Sequence, residues 1–338
     1  MGGDEGCGVV VDGVRLALQA YPAIEQVFLV GNEQEIGPAM VHHRLGDARV
    51  KIVHTTEVLT MEDKPLTAVR KKKDSSLVRA IELVKEGAAE AVISQGNTGA
   101  LIAASTLILR RLEGVEHPAI AAVMPSAKGE FLLIDAGAKP DCKPVHLLQF
   151  AIMGHVYSRE ILGHRQPRVG ILSNGAEEHK GNELTREAAR LCQQADLNFI
   201  GYVEGHDMFA DHVEVAVTDG FTGNIVLKGC EGIGKGMMRL LKRELAATPL
   251  RRLGAALAGK AFLNFKQKFD PDAYGGAPIL GLNSTVIKAH GAARQYAIMN
   301  ALRVCTEAIQ HHINDIIQQE IGRANHLVTP PAAAAVPA

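Results

Sequence analysis

The chain has 338 residues, enough for one large α/β domain or two lobes with a sizeable buried core. Hydrophobic residues are 47% and charged residues 22%, so a globular fold is expected, and a net charge of −1 gives no global basic field for nucleic acid. Aromatics are 4% with no Trp, which disfavours stacking platforms, and five scattered cysteines without a C-x-x-C read as reduced thiols rather than disulfides or zinc ligands.

No basic region followed by an apolar run opens the sequence, so no signal peptide is expected. Gly6 stands where a myristoylation motif wants Ser or Thr. The longest apolar runs, such as 100–109, fall short of the roughly 20 residues that span a bilayer. In chain order, strands are predicted at 27–30, 50–54, 91–94, 131–135, 169–173, 199–203 and 213–218. Helical spacing marks Leu77, Ile81 and Val84, then 101–111, 145–162 and 183–195. This alternation predicts a three-layer α/β/α fold with a mainly parallel sheet, whose ligands bind outside the carboxyl ends of strands. Segment 245–269 is basic and amphipathic. From Gly322 to Ala338 the chain turns Ala/Pro-rich and is expected to be a disordered tail, leaving one domain over 1–321.

Polar loops follow several predicted strands. Ser94-Gln95-Gly96-Asn97-Thr98-Gly99 opens a helix and suits either an oxyanion cradle or a capped turn that needs glycine. Asp135-Ala136-Gly137-Ala138-Lys139 carries a carboxylate that could orient a ligand or cap its own loop. Ser173 to Asn182 holds Asn174, Gly175 and Lys180, a point charge within reach of an anion, with Glu178 and His179 reading as a solvated face. Glu204-Gly205-His206-Asp207 offers His206 as a general base, against the structural role that a lone histidine more often has. Asp219 to Asn224 is the sharper signal: Thr222, Gly223 and Asn224 sit at a predicted helix start, with Lys228 one turn later. Near the C-terminus, Lys288 and His290 fall at a strand-to-helix junction. No H-E-x-x-H, G-x-S-x-G or P-loop motif is present, so several anion-ready loops without a nucleophile point to phosphate handled by positioning, with no metal or cofactor.

Taken together, SQGNTGA from Ser94, ILSNGAEEHKGNEL from Ile171, VEGHD from Val203, VTDGFTGNIVLK from Val217 and YGGAPILGLNSTVIKAHG from Tyr274 resemble the bacterial phosphate acyltransferases, the PlsX family, over roughly residues 1–321. The resemblance implies an α/β/α fold shared with phosphotransacetylases and isopropylmalate dehydrogenases. It also implies a cytosolic homodimer lying peripherally on the membrane, which moves a fatty acyl group from acyl carrier protein to inorganic phosphate. The acyl phosphate would pass to the membrane glycerol-3-phosphate acyltransferase. Lys180 and Asn224 are then the central pair, Asn97, Thr98 and Gly99 help bind phosphate, and His206 and Lys288 stand second. Two departures from the family pattern matter. The sequence begins at Met1-Gly2-Gly3-Asp4, so the first strand of the family is expected to be absent, and Ala136-Gly137-Ala138-Lys139 stands where Val-Gly-Ala-Asn is expected.

Thr248-Pro249 is a good helix start, and Leu250, Leu253 and Leu257 recur after it beside Arg251, Arg252 and Lys260. Such a face can lie on anionic lipid, receive an acidic carrier protein, or pack as a dimer or core helix. The run Arg70-Lys71-Lys72-Lys73 is a second patch suited to the carrier, or a solvated face. The rival functions are acyl-CoA:phosphate transfer of the phosphotransacetylase kind, a nicotinamide-dependent dehydrogenase lacking its metal-binding carboxylates, and a catalytically impaired membrane-associated scaffold.

Overall fold

The computed structural model describes residues 2–268 and 271–328. In chain order the elements are α1 (Cys7–Ala20), β1 (Val27–Gly31), α2 (Glu33–His42), β2 (Val50–His54), α3 (Pro65–Lys71), α4 (Ser76–Lys85), β3 (Ala91–Ser94), α5 (Thr98–Ile108), β4 (Ala119–Pro125), β5 (Glu130–Ile134) and α6 (Pro144–Glu160). Then come β6 (Val169–Leu172), α7 (Glu183–Gln194), β7 (Phe199–Val203), β8 (Val215–Val217), α8 (Gly220–Ala246), α9 (Pro249–Leu257), α10 (Gly259–Lys268), β9 (Ala277–Leu280), β10 (Thr285–Lys288), α11 (Gln295–Gln310) and α12 (Ile313–Val328).

Eight strands form one sheet in the order β3-β10-β9-β4-β5-β8-β6-β7, and β1 and β2 pair in parallel as a separate sheet. All seven predicted strands are present. The other three, β4, β9 and β10 (the last signalled by the strand-to-helix junction at Lys288), decide the topology, because the β10–β9, β9–β4 and β4–β5 pairs are antiparallel. The sheet therefore holds parallel blocks of opposite direction: β3 with β10 at one end, and β5, β8, β6 and β7 at the other. The reversal begins at a hairpin, where Ser126 N–H donates to Gly129 O at 2.9 Å between β4 and β5. Two edges of the sheet thus carry carboxyl-end loops, where a uniformly parallel sheet would have one.

Helices cover both faces. α6 is buried nearly all round because it packs on β5 and β8 and also on α7 and α12. Gly154 permits that approach, since a Cβ there would lie 2.5 Å from Val215 Cγ1. Phe150, Met153 and Tyr157 fill the resulting core, and each such side chain contributes about 1.5–3 kcal/mol on burial. α4 and α5 bury Ile81, Leu101 and Ala104 in a second cluster, and α1 packs along α11 in a third.

Two boundaries need correction. The helix before the 245–269 segment runs 27 residues to Ala246, and the segment itself divides into α9 and α10, with Thr248 capping α9 by accepting from Arg251 N–H at 3.2 Å. The expected tail is helical at its start: α12 continues through Gly322 to Val328, because Ile317, Ile321 and Ala324 keep helical spacing into the core beside α6. Residues 329–338 and Phe269 lie outside the described residues.

Candidate functional site

The loops at the tips of β5, β8 and β6 emerge side by side, because those strands are neighbours in the sheet and share one direction. Asp135 organises the first. Its buried carboxylate accepts from the N–H groups of Ile120, Gly137, Ala138 and Lys139 at 2.9, 3.1, 3.0 and 2.7 Å. Burial raises its pKa while these four donors pull the other way. Of the two readings of this loop, the carboxylate is spent on its own turn. Against it stands the first turn of α8. A Cβ on Gly220 would fall 2.5 Å from Asp135 Oδ2, and one on Gly223 only 1.9 Å from Asp135 O, so both positions require glycine.

That closeness consumes the donors at the start of α8. Gly220 N–H donates to Lys139 O at 2.9 Å, Thr222 N–H to Asp219 Oδ1 at 2.8 Å, and Gly223 N–H to Asp219 O at 2.9 Å. The Thr222 hydroxyl donates to Asp219 Oδ2 at 2.8 Å. Thr222 and Gly223 therefore hold the helix start and do not offer these donors to an anion. Asn224 is exposed and stands over Gly137, where a Cβ would lie 3.4 Å from its own.

In the neighbouring loop, Asn174 Oδ1 accepts from Gly181 N–H at 3.0 Å and closes the turn. Gly175 is buried beneath the stem of Lys180, and a Cβ there would fall 2.7 Å from Lys180 Cγ, so a larger residue would push the lysine aside. The half-buried Lys180 has no hydrogen bond or ion pair from its ammonium among the described residues. His206 is 75% exposed, with Nε2 3.5 Å from Asp207 Oδ1, a carboxylate that His212 also reaches at 3.1 Å. His206 is thus a surface ring next to a carboxylate.

The other cluster lies at the opposite edge, where β3 and β10 end together. Asn97 caps α5 by accepting from Ala100 N–H at 3.0 Å, and its amide donates to the carbonyls of Thr60 and Met61 at 3.3 and 3.2 Å. Its side chain positions the loop, and among the described residues the first-turn N–H groups of Thr98 and Gly99 have no acceptor. Lys288, mostly buried, donates from Nζ to Gln95 O at 3.1 Å and to Ala289 O. Burial, reinforced by nearby Lys228 and opposed by Asp4, brings its pKa down to about 8. The N-terminal turn joins here through Asp4 N–H donating to Gly291 O at 3.0 Å.

α8 links the two clusters. It crosses the sheet over β4 and β5, anchored by Val226, Leu227 and Cys230. Asn224 and Lys228, four residues apart, share one face, about 6 Å along the axis. Lys228 pairs with Glu231 at 3.3 Å and is near enough to act on both Lys288 and His290. Lys228, which the sequence places one turn after Asn224, is thus the residue that joins the two clusters. Among the described residues no His, Cys, Asp and Glu group could hold a metal ion.

Residues 1–316 match the family model described as fatty acid synthesis protein. The chain belongs to that family. A phosphate acyltransferase from Akkermansia muciniphila is 43% identical over 329 residues, covering 96% of this chain and 94% of that protein. One from Pelotomaculum thermopropionicum is 44% identical, covering 95% and 93%. A solved phosphotransacetylase from Streptococcus pyogenes has the same fold, with a TM-score of 0.59 at 17% identity over 90% of this chain and 92% of that one. The expected relation of this family's fold to phosphotransacetylases therefore holds. No helix among the described residues is long and apolar enough to cross a membrane.

Proposed function

We propose that the chain is an acyltransferase that moves a fatty acyl group from acyl carrier protein to inorganic phosphate, giving an acyl phosphate for phospholipid synthesis. The named phosphate acyltransferases at 43% and 44% identity support the reaction class. The observation that carries the site is the polar face of α8, with Asn224 beside the Asp135 loop and Lys228 towards Lys288. Phosphate is itself the nucleophile. One of its oxygens attacks the thioester carbonyl carbon, the carbonyl oxygen takes the negative charge, and the C–S bond then breaks to release the carrier thiolate. The protein needs to hold the anion beside the carbonyl and stabilise the oxyanion. Lys180 and Lys228 offset the charge and hold phosphate, and Asn224 donates to the oxyanion.

Acyl phosphate trapped as its hydroxamate tests this reading. Lys180→Ala should lower turnover by about a hundredfold or more, and ordinary activity would remove Lys180 from the site. Faster turnover of acetyl-CoA than of long-chain acyl carrier protein would instead favour the phosphotransacetylase reaction.

The reading extends to the membrane. Leu250, Leu253 and Leu257 on α9 are 78%, 60% and 83% exposed, with Arg251, Arg252 and Lys260 exposed around them. A basic apolar helix of this kind lies on anionic lipid and would release a labile acyl phosphate next to the membrane glycerol-3-phosphate acyltransferase. Loss of vesicle flotation in a Leu253→Glu, Leu257→Glu variant is the expected result. On α8, exposed Phe221, Ile225, Ile233 and Met237 fall four or eight residues apart, with Gly229 between the middle pair, and suit a second copy in a homodimer.

A further inference from the structure

We infer that the outer face of α3 and the residues just after it form the docking surface for the acidic carrier protein. This rests on the reading of the carrier thioester as acyl donor. Residues 64–73 hold Lys64, Arg70, Lys71, Lys72 and Lys73 without an acidic or aromatic residue. Lys72 alone among them is neutralised, by Asp63 at 2.6 Å, and its ammonium also donates to Val58 O at 3.0 Å. Those two contacts staple the segment and leave Lys64, Arg70, Lys71 and Lys73 exposed, with no ion pair among the described residues. Ala68 and Val69 turn inward against α5, while Leu66 and Arg70, four residues apart, share the outer face. Leu66 and Met61, 56% and 55% exposed, give the cationic rim a small apolar centre.

The place of this surface is as telling as its charge. The carbonyls of Thr60 and Met61 hold the amide of Asn97, and Pro65 lies so close to Gly99 that a Cβ there would fall 2.8 Å from Pro65 Cγ. The patch is therefore built onto the first turn of α5, beside the edge where Lys288 holds Gln95 O and Lys228 reaches across from α8. An exposed, unneutralised set of cations with few apolar residues matches an acidic protein surface, to be steered in and oriented by charge. A lipid surface would need the broader apolar face that α9 has.

Acyl phosphate formation measured against acyl carrier protein concentration tests the inference, with carrier binding titrated separately. Lys71→Glu with Lys73→Glu should raise KM for the acylated carrier about tenfold or more and weaken carrier binding equally, with kcat at saturation changed far less. The difference from the unaltered chain should shrink as salt rises. Lys85→Glu, an exposed reversal at the end of α4, should leave KM unchanged and controls for net charge. An unchanged KM and carrier affinity in the double variant overturns the proposal. So does a rise in KM confined to Arg251→Glu with Arg252→Glu, which would place the carrier on α9. Circular dichroism and melting confirm that the variants fold. If the unaltered chain makes no acyl phosphate, the reading of function fails, and the binding titration still decides where the carrier docks.

Discussion

At Gly220 and Gly223, α8 is pressed onto the Asp135 loop so closely that no side chain fits, whereas at Gly229, Gly232, Gly234 and Gly236 the same helix has open space beside each glycine. One helix thus uses glycine for two unrelated reasons. In the first turns the missing Cβ lets backbone meet backbone and seats Asn224 over Gly137. In the later turns glycine costs helix stability with nothing packed against it in the single chain. The proposed site lies at the closely packed end, and the proposed contact with a second copy lies at the open end.

The sharpest way to break this contrast is Gly223→Ala. The new methyl would meet the Asp135 carbonyl, which cannot rotate aside, so a loss of about 3 kcal/mol or more is expected in denaturant unfolding. Acyl phosphate formation should fall with it, because α8 must shift away from the Asp135 loop. Wild-type stability in this variant would show that the close approach is relaxed in solution and that Asn224 is not fixed by it.

Next in size is Lys228. Lys228→Ala should raise KM for phosphate about tenfold, the scale of one charge-assisted contact, and leave KM for the carrier alone. Lys228→Arg should restore most of the loss. Lys228→Ala, unlike Lys228→Arg, also removes a charge that depresses Lys288, so the Lys288 pKa should rise in it.

That coupling gives a pH test of the buried edge. Lys288 has an ordinary value of 10.5 and a folded value of about 8, and the charges facing it are Lys228 and Asp4, with His290 two residues on. Below pH 8 both the folded and unfolded forms are charged, and the burial cost is fully present. Between 8 and 10.5 the unfolded chain keeps a proton that the folded chain has shed, so this residue makes stability rise with pH. Tyr157, Cys192 and Cys305, raised by burial, act in the opposite sense. The expected result is therefore a difference: unfolding free energy should rise less, or fall more, between pH 8 and 10 in Lys288→Met than in the unaltered chain.

Much of this contrast was legible in the sequence, and its arrangement in space was not. Each glycine-bearing loop was found where an apolar run ended, because strand tips leave that mark. Strand direction leaves none. The runs APIL and TVIK are four residues each, and nothing in their composition says that β9 opposes both its neighbours. The reversal puts Asn97 and Lys288 at one edge and Lys180 and Asn224 at the other, a separation no loop motif encodes. Hydrogen-bond accounting was equally hidden. Asn97, Asn174 and Thr222 are residue types that bind anions or cap turns, and only the structure shows their polar atoms engaged in capping and loop closure. The side chains of Lys180 and Asn224, by contrast, stay uncommitted among the described contacts.

The smallest effect addresses the open end of α8. Gly229 lies on the exposed stripe, four residues from both Ile225 and Ile233, and has nothing within 4 Å of a Cβ. If that face is free, Gly229→Ala should stabilise the chain by about 0.5–1 kcal/mol through helix propensity alone. If a second copy packs there backbone to backbone, the methyl should instead weaken association. Sedimentation of the variant against the unaltered chain separates the two, since propensity raises stability at every protein concentration whereas a blocked interface shifts the monomer–dimer balance. A gain in stability with an unchanged dimer would place the homodimer contact away from Gly229, and the two ends of α8 would then differ in packing without differing in partners.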